Sequence, residues 1–171
     1  VDILHNLREQ MLRFRSISMH YPGRLEELAA GLAAERITPD ELESLERILV
    51  EINEYMANDK FDKIVDADVR FHDILYHASR NQRLVDILHN LREQMLRFRS
   101  ISMHYPGRLA ATWEEHRQMV ENIAQHNSAM ARKVAKKHME NSEKTLLKGI
   151  QKDEESARQI HELFPEHHIG E

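Results

Sequence analysis

The stretch TPDELESLERILVEINEYM, residues 38–56, shows most directly how this chain folds. Thr38 can cap a helix, Pro39 suits the first helical position, and Glu41 can complete a capping box with Thr38. The apolar residues that follow are three or four positions apart, as on one face of an α-helix. They are Leu42, Leu45, Leu49, Ile52 and Met56. This segment therefore predicts an amphipathic helix with a defined start.

The same spacing recurs along the rest of the chain, with turn or capping residues between the apolar runs. Further helices are expected over 25–36, from Ile64 to about Ser79, from Asn81, from a second capping box at Thr112–Glu115, and after the turn at 126–128 as far as Leu163. Only 5 glycines, 4 prolines and 6% aromatic residues favour long helices over short strands. The sequence predicts an all-α fold, an antiparallel helical bundle of about six to seven helices.

The composition excludes several classes of protein. A chain of 171 residues is about one domain, and without cysteine it must bind any metal through His, Asp or Glu. A formal net charge of −5 is the wrong sign for a nucleic-acid-binding module. No apolar run approaches the ~18 residues of a membrane span, and the first residues lack a signal-peptide pattern. We expect a cytoplasmic domain that binds neither membrane nor nucleic acid directly.

Residues 1–25 (VDILHNLREQMLRFRSISMHYPGRL) recur without a single change as residues 85–109. Structural repeats drift in sequence and occur more than twice, so this copy is not typical of an ancient repeat. It indicates a recent duplication, an engineered or artefactual copy, or an extra helix that docks on a neighbouring chain by domain swapping. We divide the chain into a duplicated helix segment over 1–24 that is identical to 85–108, a domain over 25–163 and a polar tail over 164–171.

The covalent status of the first copy can be measured. If that copy is an artefact, the intact mass of the purified protein will lie well below the 20.2 kDa of the full sequence. A mass that equals the full value would show that both copies belong to one chain.

Four polar residues interrupt the apolar faces of three predicted helices. Asp68 and His72 are four residues apart, so they share a helix face that is otherwise apolar. His116 lies within the apolar stripe of the fifth helix, and His138 lies within that of the sixth. These two histidines are each eleven residues from Asn127, the centre of the turn between their helices. In an antiparallel pair they would face each other at the same level.

This pattern has two explanations. A carboxylate in a core is costly unless it is paired or metal-bound, and one Asp with three neutral imidazoles suits Zn, Ni, Mn or Fe as a divalent ion. The chain has 12 histidines, however, and a single inward histidine is more often a hydrogen-bonded core residue than a ligand. The spacing alone leaves both a metal centre and a structural core open.

Several short motifs, in this order, resemble the FCD domain, the all-helical effector-binding domain of FadR-subfamily GntR-type bacterial transcription regulators. The resemblance covers about residues 25–146. It rests on LE…AA…LAAE at 25–35, TPDEL at 38–42, DVRFH at 68–72, SRN at 79–81, EHR at 115–117 and KHM at 137–139. The family's winged helix-turn-helix has no counterpart here, because the 25 residues before the match copy the fourth helix. Direct DNA binding by this chain is therefore not expected.

The resemblance implies a site as well as a fold. In metal-binding members the Asp and the three His of these motifs hold the ion, which makes Asp68, His72, His116 and His138 the expected ligands. Zinc is the first candidate for the metal. Fatty-acyl-responsive members lack this set, so the resemblance also implies a small organic acid as effector. A homodimer is implied too, with effector binding that favours one arrangement of the pair.

A divalent ion with one Asp and three neutral His would carry a charge of about +1 and could attract a carboxylate. Arg92 and Arg99, seven residues apart on the fourth helix, could hold that carboxylate through bidentate hydrogen bonds. Both arginines could equally extend into solvent.

Two rival hypotheses remain. One is a metalloenzyme of hydrolase or lyase type, in which the same ligands and a water act on a substrate. That enzyme lacks an evident base, because Glu115 is interpreted as the capping partner of Thr112, and no catalytic residue is predicted. The other rival is an inert structural helical module.

Overall fold

The computed structural model of this chain describes residues 21–91, 96 and 102–163, with side chains as far as 148. Across these residues the backbone is helical apart from short turns, and it contains no strand. The helices are α1 (21–36), α2 (Pro39–Ala57), α3 (Phe61–Ala78), α4 (Gln82–Asn90), α5 (Arg108–Ala124) and α6 (Ser128–Leu163). The predicted all-α bundle is confirmed.

The start of α2 matches the sequence prediction. Glu41 N–H donates to the Thr38 hydroxyl (3.3 Å), and Thr38 N–H donates to the Glu41 carboxylate (3.0 Å), which is a complete capping box. The same carboxylate accepts two hydrogen bonds of 2.7 Å from the guanidinium of Arg80, in the turn that follows α3. One glutamate therefore fixes both the start of α2 and its position against the end of α3.

The central helices run antiparallel. Across the turn between α2 and α3, Lys63 lies over the ring of Tyr55, and farther from the turn Arg70 pairs with Glu51. α2 also packs against α5, where Trp113 donates its indole N–H to the carbonyl of Leu49 (2.9 Å). α5 then packs along α6 across the turn at 125–127. The core is formed by side chains that face inward from all of these helices, such as Leu45, Phe71, Leu75, Leu88, Met119 and Ile123.

α1 lies close to the bundle because its inner face is built from small residues. Ala29, Ala30, Ala33 and Ala34 are fully buried. The Ser128 hydroxyl donates to the carbonyl of Gly31 (2.9 Å), which attaches α1 to the start of α6. Such a close approach brings the N-terminal part of α1 against α3 and α6.

The repeated pentapeptide Tyr-Pro-Gly-Arg-Leu has two structures. Its first copy, 21–25, is helical, and Gly23 there lies so close to α6 that an added Cβ would be 3.4 Å from the Cβ of Met139. In the second copy, 105–109, Gly107 has a φ of +78° and caps the start of α5. Since the local sequence is the same, the packing partners decide the conformation.

One sequence prediction about α5 is wrong. Thr112 does not cap this helix, because Gly107 starts α5 five residues earlier and Thr112 is buried within it. Glu115 is consequently free of the capping role expected for it and faces the interior instead.

Other predictions concern residues outside the described part of the chain. Most of the duplicated segment 1–24 and all of the tail 164–171 lie there, so the division into domains stays a prediction. In the part that the structure describes, no helix combines the length and apolar character needed to cross a bilayer.

Replacing Glu41 by Gln tests how the end of α3 is attached to α2. Partial burial disfavours the charged form, but hydrogen bonds from Arg80 and Thr38 outweigh it and hold the pKa of Glu41 below its usual 4.5. Glu41→Gln should retain the capping box and lose ~0.5–1 kcal/mol of unfolding free energy at pH 7 through the weakened Arg80 pair. A carboxyl group whose pKa is lowered by folding gives its full stabilisation only above its pKa in the unfolded chain. The difference in unfolding free energy between Glu41→Gln and the wild type should therefore shrink as the pH falls below 4.5.

Urea unfolding at pH 7 and at lower pH measures both effects. Glu46→Gln, an exposed position on the same helix, serves as the control and should unfold like wild type at both values. If Glu41→Gln lost the same unfolding free energy at low pH as at pH 7, the stabilising role of the Glu41 charge would be contradicted.

Candidate metal centre

Three histidines from three helices meet in the interior. They are His72 on α3, His116 on α5 and His138 on α6, with exposed fractions of 1%, 0% and 2%. The ring centroids of His116 and His138 are 4.8 Å apart, as their equal distance from the turn predicts. The ring of His72 lies 5.1 Å from that of His116 and 5.9 Å from that of His138. The spacing of His116 and His138 about Asn127 thus predicts correctly that these two lie at one level.

The three imidazoles could hold a metal ion. One nitrogen of each ring can be chosen so that all three lie within 4.8 Å of one another. Three nitrogens spread evenly around one ion at ~2.1 Å would be ~3.6 Å apart, so an inward movement of up to ~0.7 Å by each would bring all three into bonding range. Neutral imidazole nitrogens suit zinc, copper, iron and nickel.

Asp68 lies beside this group. Its Oδ1 is 3.7 Å from Nε2 of His72 and 3.8 Å from Nε2 of His116, and the residue is 2% exposed. The structure therefore brings all four predicted residues together, with the carboxylate oxygen facing two ring nitrogens. Phe71 stacks on His116, with ring centroids 4.2 Å apart, and forms an apolar wall next to these polar atoms.

His138 is held by a carboxylate that the sequence analysis assigned to a different role. Its Nδ1 donates to Oε2 of Glu115 at 2.7 Å, because an ionised carboxylate can only accept. Nε2 of His138 is buried and has no hydrogen-bond partner among the described residues. A buried nitrogen of this kind is costly unless something binds it, and a histidine with one nitrogen on a carboxylate and the other facing a cation is a common metal-ligand arrangement.

Arg108 completes this side of the centre. Its guanidinium donates to both oxygens of Glu115 (2.9 and 2.8 Å) and to the Ser142 hydroxyl (2.8 Å), and the side chain is 4% exposed. Burial by itself would raise the pKa of Glu115, but hydrogen bonds from His138 and Arg108 lower that pKa to about 2. Glu115 is therefore an ionised group that joins α5 to α6.

A second buried carboxylate approaches His72. Oε1 of Glu26, on α1, lies 3.1 Å from Nδ1 of His72, and Oε2 accepts a hydrogen bond of 3.0 Å from the Tyr76 hydroxyl. The side chain of Glu26 is fully buried. Both His72 and His138 thus have a carboxylate next to Nδ1, while their Nε2 atoms remain on the side of the shared centre.

Neither glutamate is among the site residues that the sequence predicts. The spacing of Glu26 is nevertheless informative, because it precedes the buried Ala29 and Ala30 by three and four positions and so belongs to the inner face of α1. Glu115 fits a capping pattern with Thr112, which conceals its inward position. The predicted effector-binding residues Arg92 and Arg99 lie outside the described residues, so the structure says nothing of their positions.

Comparisons with known proteins agree with this architecture. The FCD domain family matches residues 19–141, which is well over half of the chain, and the chain belongs to that family. Among solved structures, the GntR protein of Streptococcus agalactiae matches with a TM-score of 0.65 at 23% identity, over 77% of this chain. The match covers 58% of that protein, so this chain spans less than two thirds of its length. A comparison with curated proteins gives no match.

Family membership confirms the predicted resemblance and the coarse function. An FCD domain is a regulatory domain that binds a small-molecule effector, and it is not an enzyme. The metalloenzyme hypothesis is set aside on this ground.

The two copies of the pentapeptide provide a matched test of the Arg108 network. Arg108→Ala should reduce the free energy of unfolding by ~3 kcal/mol or more, because it leaves the buried charge of Glu115 without its guanidinium. The equivalent residue of the first copy, Arg24, is 61% exposed and pairs only with Glu27 among the described residues. Arg24→Ala should cost less than ~0.5 kcal/mol.

Urea unfolding of both variants measures the difference. Equal losses for Arg24→Ala and Arg108→Ala would show that the Glu115 network does not stabilise the fold.

Proposed function

We propose that this chain is the metal-dependent, small-carboxylate-sensing and dimerising domain of a bacterial transcription regulator of the FadR subfamily. The observation that carries the proposal is the convergence of three buried imidazoles and one carboxylate from α3, α5 and α6. His72, His116, His138 and Asp68 would hold one divalent ion, with zinc as the first choice and nickel, manganese or iron as alternatives. The ion would supply a Lewis-acidic centre to which an organic acid can bind.

The surroundings of the ligands support a resident cation. Nε2 of His138 is buried and has no hydrogen-bond partner among the described residues, and the acidic side chains of Asp68, Glu26 and Glu115 are buried beside the imidazoles. Buried charges persist in proteins when they are paired or coordinate a metal, so the composition of the cluster favours a bound ion over an inert core.

An effector carboxylate would bind through direct coordination to the ion, strengthened by chelation from a neighbouring hydroxyl or keto oxygen. Arginines such as Arg92 and Arg99 would hold the same carboxylate through bidentate hydrogen bonds.

Regulation would follow from unequal affinity of the effector for two arrangements of a homodimer. In such a regulator a winged helix-turn-helix would contact DNA, and we expect no direct DNA contact from this acidic chain. Because a bacterial transcription regulator works next to the chromosome, we expect the domain in the cytoplasm.

Metal analysis and thermal shift test the proposal together. Protein purified without chelator should contain ~1 zinc or similar ion per chain, and His116→Ala should lose it. His77→Ala, an exposed histidine on the same helix as His72, should retain it. A small hydroxy-, keto- or dicarboxylate at a hundred times its dissociation constant should add ~2.7 kcal/mol of stability, and chelator should remove this effect.

A different set of results would contradict the proposed function. Protein that contains no metal, takes up none, and melts at the same temperature with every acid would be a structural module with inert histidines.

A further inference from the structure

Glu26 is the acidic residue on the inner face of α1, whose other buried residues are Pro22, Gly31 and four alanines. Its side chain is fully buried, and it lies on α1, whereas the proposed ligands lie on α3, α5 and α6. Oε1 is 3.1 Å from Nδ1 of His72, and Oε2 accepts from the Tyr76 hydroxyl at 3.0 Å. Through His72, Glu26 connects α1 to the proposed metal centre.

α1 stays docked only if other interactions compensate the cost of burying this carboxylate. Removing a carboxylate from water is costly unless hydrogen bonds or opposite charge replace the lost hydration. Tyr76 donates a hydrogen bond to one oxygen of this group, and the imidazole of His72 lies 3.1 Å from the other oxygen. The docking of α1 at Glu26 is therefore sensitive to the charge on the ring of His72.

We infer that Glu26 couples occupation of the metal centre to the docking of the N-terminal half of α1. The inference rests on the proposed function, since it requires a cation at the histidines. A cation bound at Nε2 of His72 would withdraw electron density from the ring and so increase the positive charge on the Nδ1 side, which lies 3.1 Å from Oε1 of Glu26. The contact then strengthens when the ion is present and weakens when it leaves.

The coupling acts in both directions. If the ion stabilises the docked α1, then docked α1 must raise the affinity for the ion by the same factor. Glu26 is thus a positioning residue, which acts on the ion through His72 and does not bind it.

The effect should be confined to one end of α1. The C-terminal half of this helix is attached to the α5–α6 turn, where Nδ1 of His126 lies 2.8 Å from the carbonyl of Ala34 and the Ser128 hydroxyl donates to that of Gly31. These bonds do not involve the histidine cluster. Metal-dependent changes are therefore expected around residues 24–30 and not around 33–36.

Amide hydrogen exchange of the full chain, with and without zinc, tests this inference. In the wild type, zinc should slow exchange near His116 and His138 and should also slow it over residues 24–30, by ~10-fold or more. Glu26→Gln should keep the slowing near His116 and His138 and lose it over 24–30. The same substitution should weaken the zinc dissociation constant by ~10–100-fold, as expected for the loss of a carboxylate behind a ligand histidine.

Glu27→Gln is the matched control. Glu27 is the next residue on the same helix, its side chain is 21% exposed, and it pairs with Arg24. This variant should bind zinc and respond to it like the wild type.

The outcomes separate the inference from the function on which it rests. Zinc that protects α5 and α6 in the wild type but leaves 24–30 unchanged would overturn the inference and leave the metal centre intact. Failure of the wild type to bind zinc at all would overturn both. The wild-type comparison decides the matter even if Glu26→Gln does not fold.

Discussion

The interior of this bundle contains three imidazoles and three carboxylates, and the cost of removing such groups from water constrains the rest of the structure. Each of them must be compensated locally, since an unpaired buried charge would cost a large part of the stability of a domain of this size. On the α5–α6 side, Glu115 is compensated by Arg108 and His138. On the α1–α3 side, Glu26 lies between His72 and Tyr76. The helices are therefore joined by polar contacts as well as by the apolar core.

These contacts converge on one place. The carboxylates of Glu26 and Glu115 lie next to Nδ1 of His72 and of His138, and one nitrogen of each of the three histidines lies within 4.8 Å of the others. A carboxylate behind a histidine fixes the orientation of the ring and so prepares its other nitrogen for a cation. Selectivity for an organic acid would then depend on coordination geometry and on arginines such as Arg92 and Arg99.

Much of this could be predicted from the sequence, because helical periodicity places residues on faces. The four-residue spacing of Asp68 and His72 predicts that these two share a helix face, and the symmetry of His116 and His138 about Asn127 predicts that those two lie at one level. That the two pairs form one site is what the resemblance to the FCD domain implies. The capping box at Thr38 was equally local and was confirmed. Whether the four residues bind an ion stays a prediction, since spacing fixes proximity and not occupancy.

The features that were missed depend on contacts between distant segments. Glu115 fits a capping pattern locally, and only the position of Arg108 and His138 shows that it faces inward. The pentapeptide at 21–25 and 105–109 shows the same limit, because one sequence forms a helix against α6 in the first case and a turn with a left-handed glycine in the second. Local propensity is decisive where a cap or an apolar stripe is complete, and tertiary packing is decisive elsewhere.

The most direct test of the central claim is anomalous X-ray diffraction from crystals of the zinc-loaded chain, recorded at the zinc absorption edge. The account predicts one strong anomalous peak in the interior, at ~2.0–2.2 Å from a nitrogen of each of His72, His116 and His138 and from an oxygen of Asp68. A peak bound elsewhere, or four side chains that keep their donors out of reach of any common ion, would contradict it.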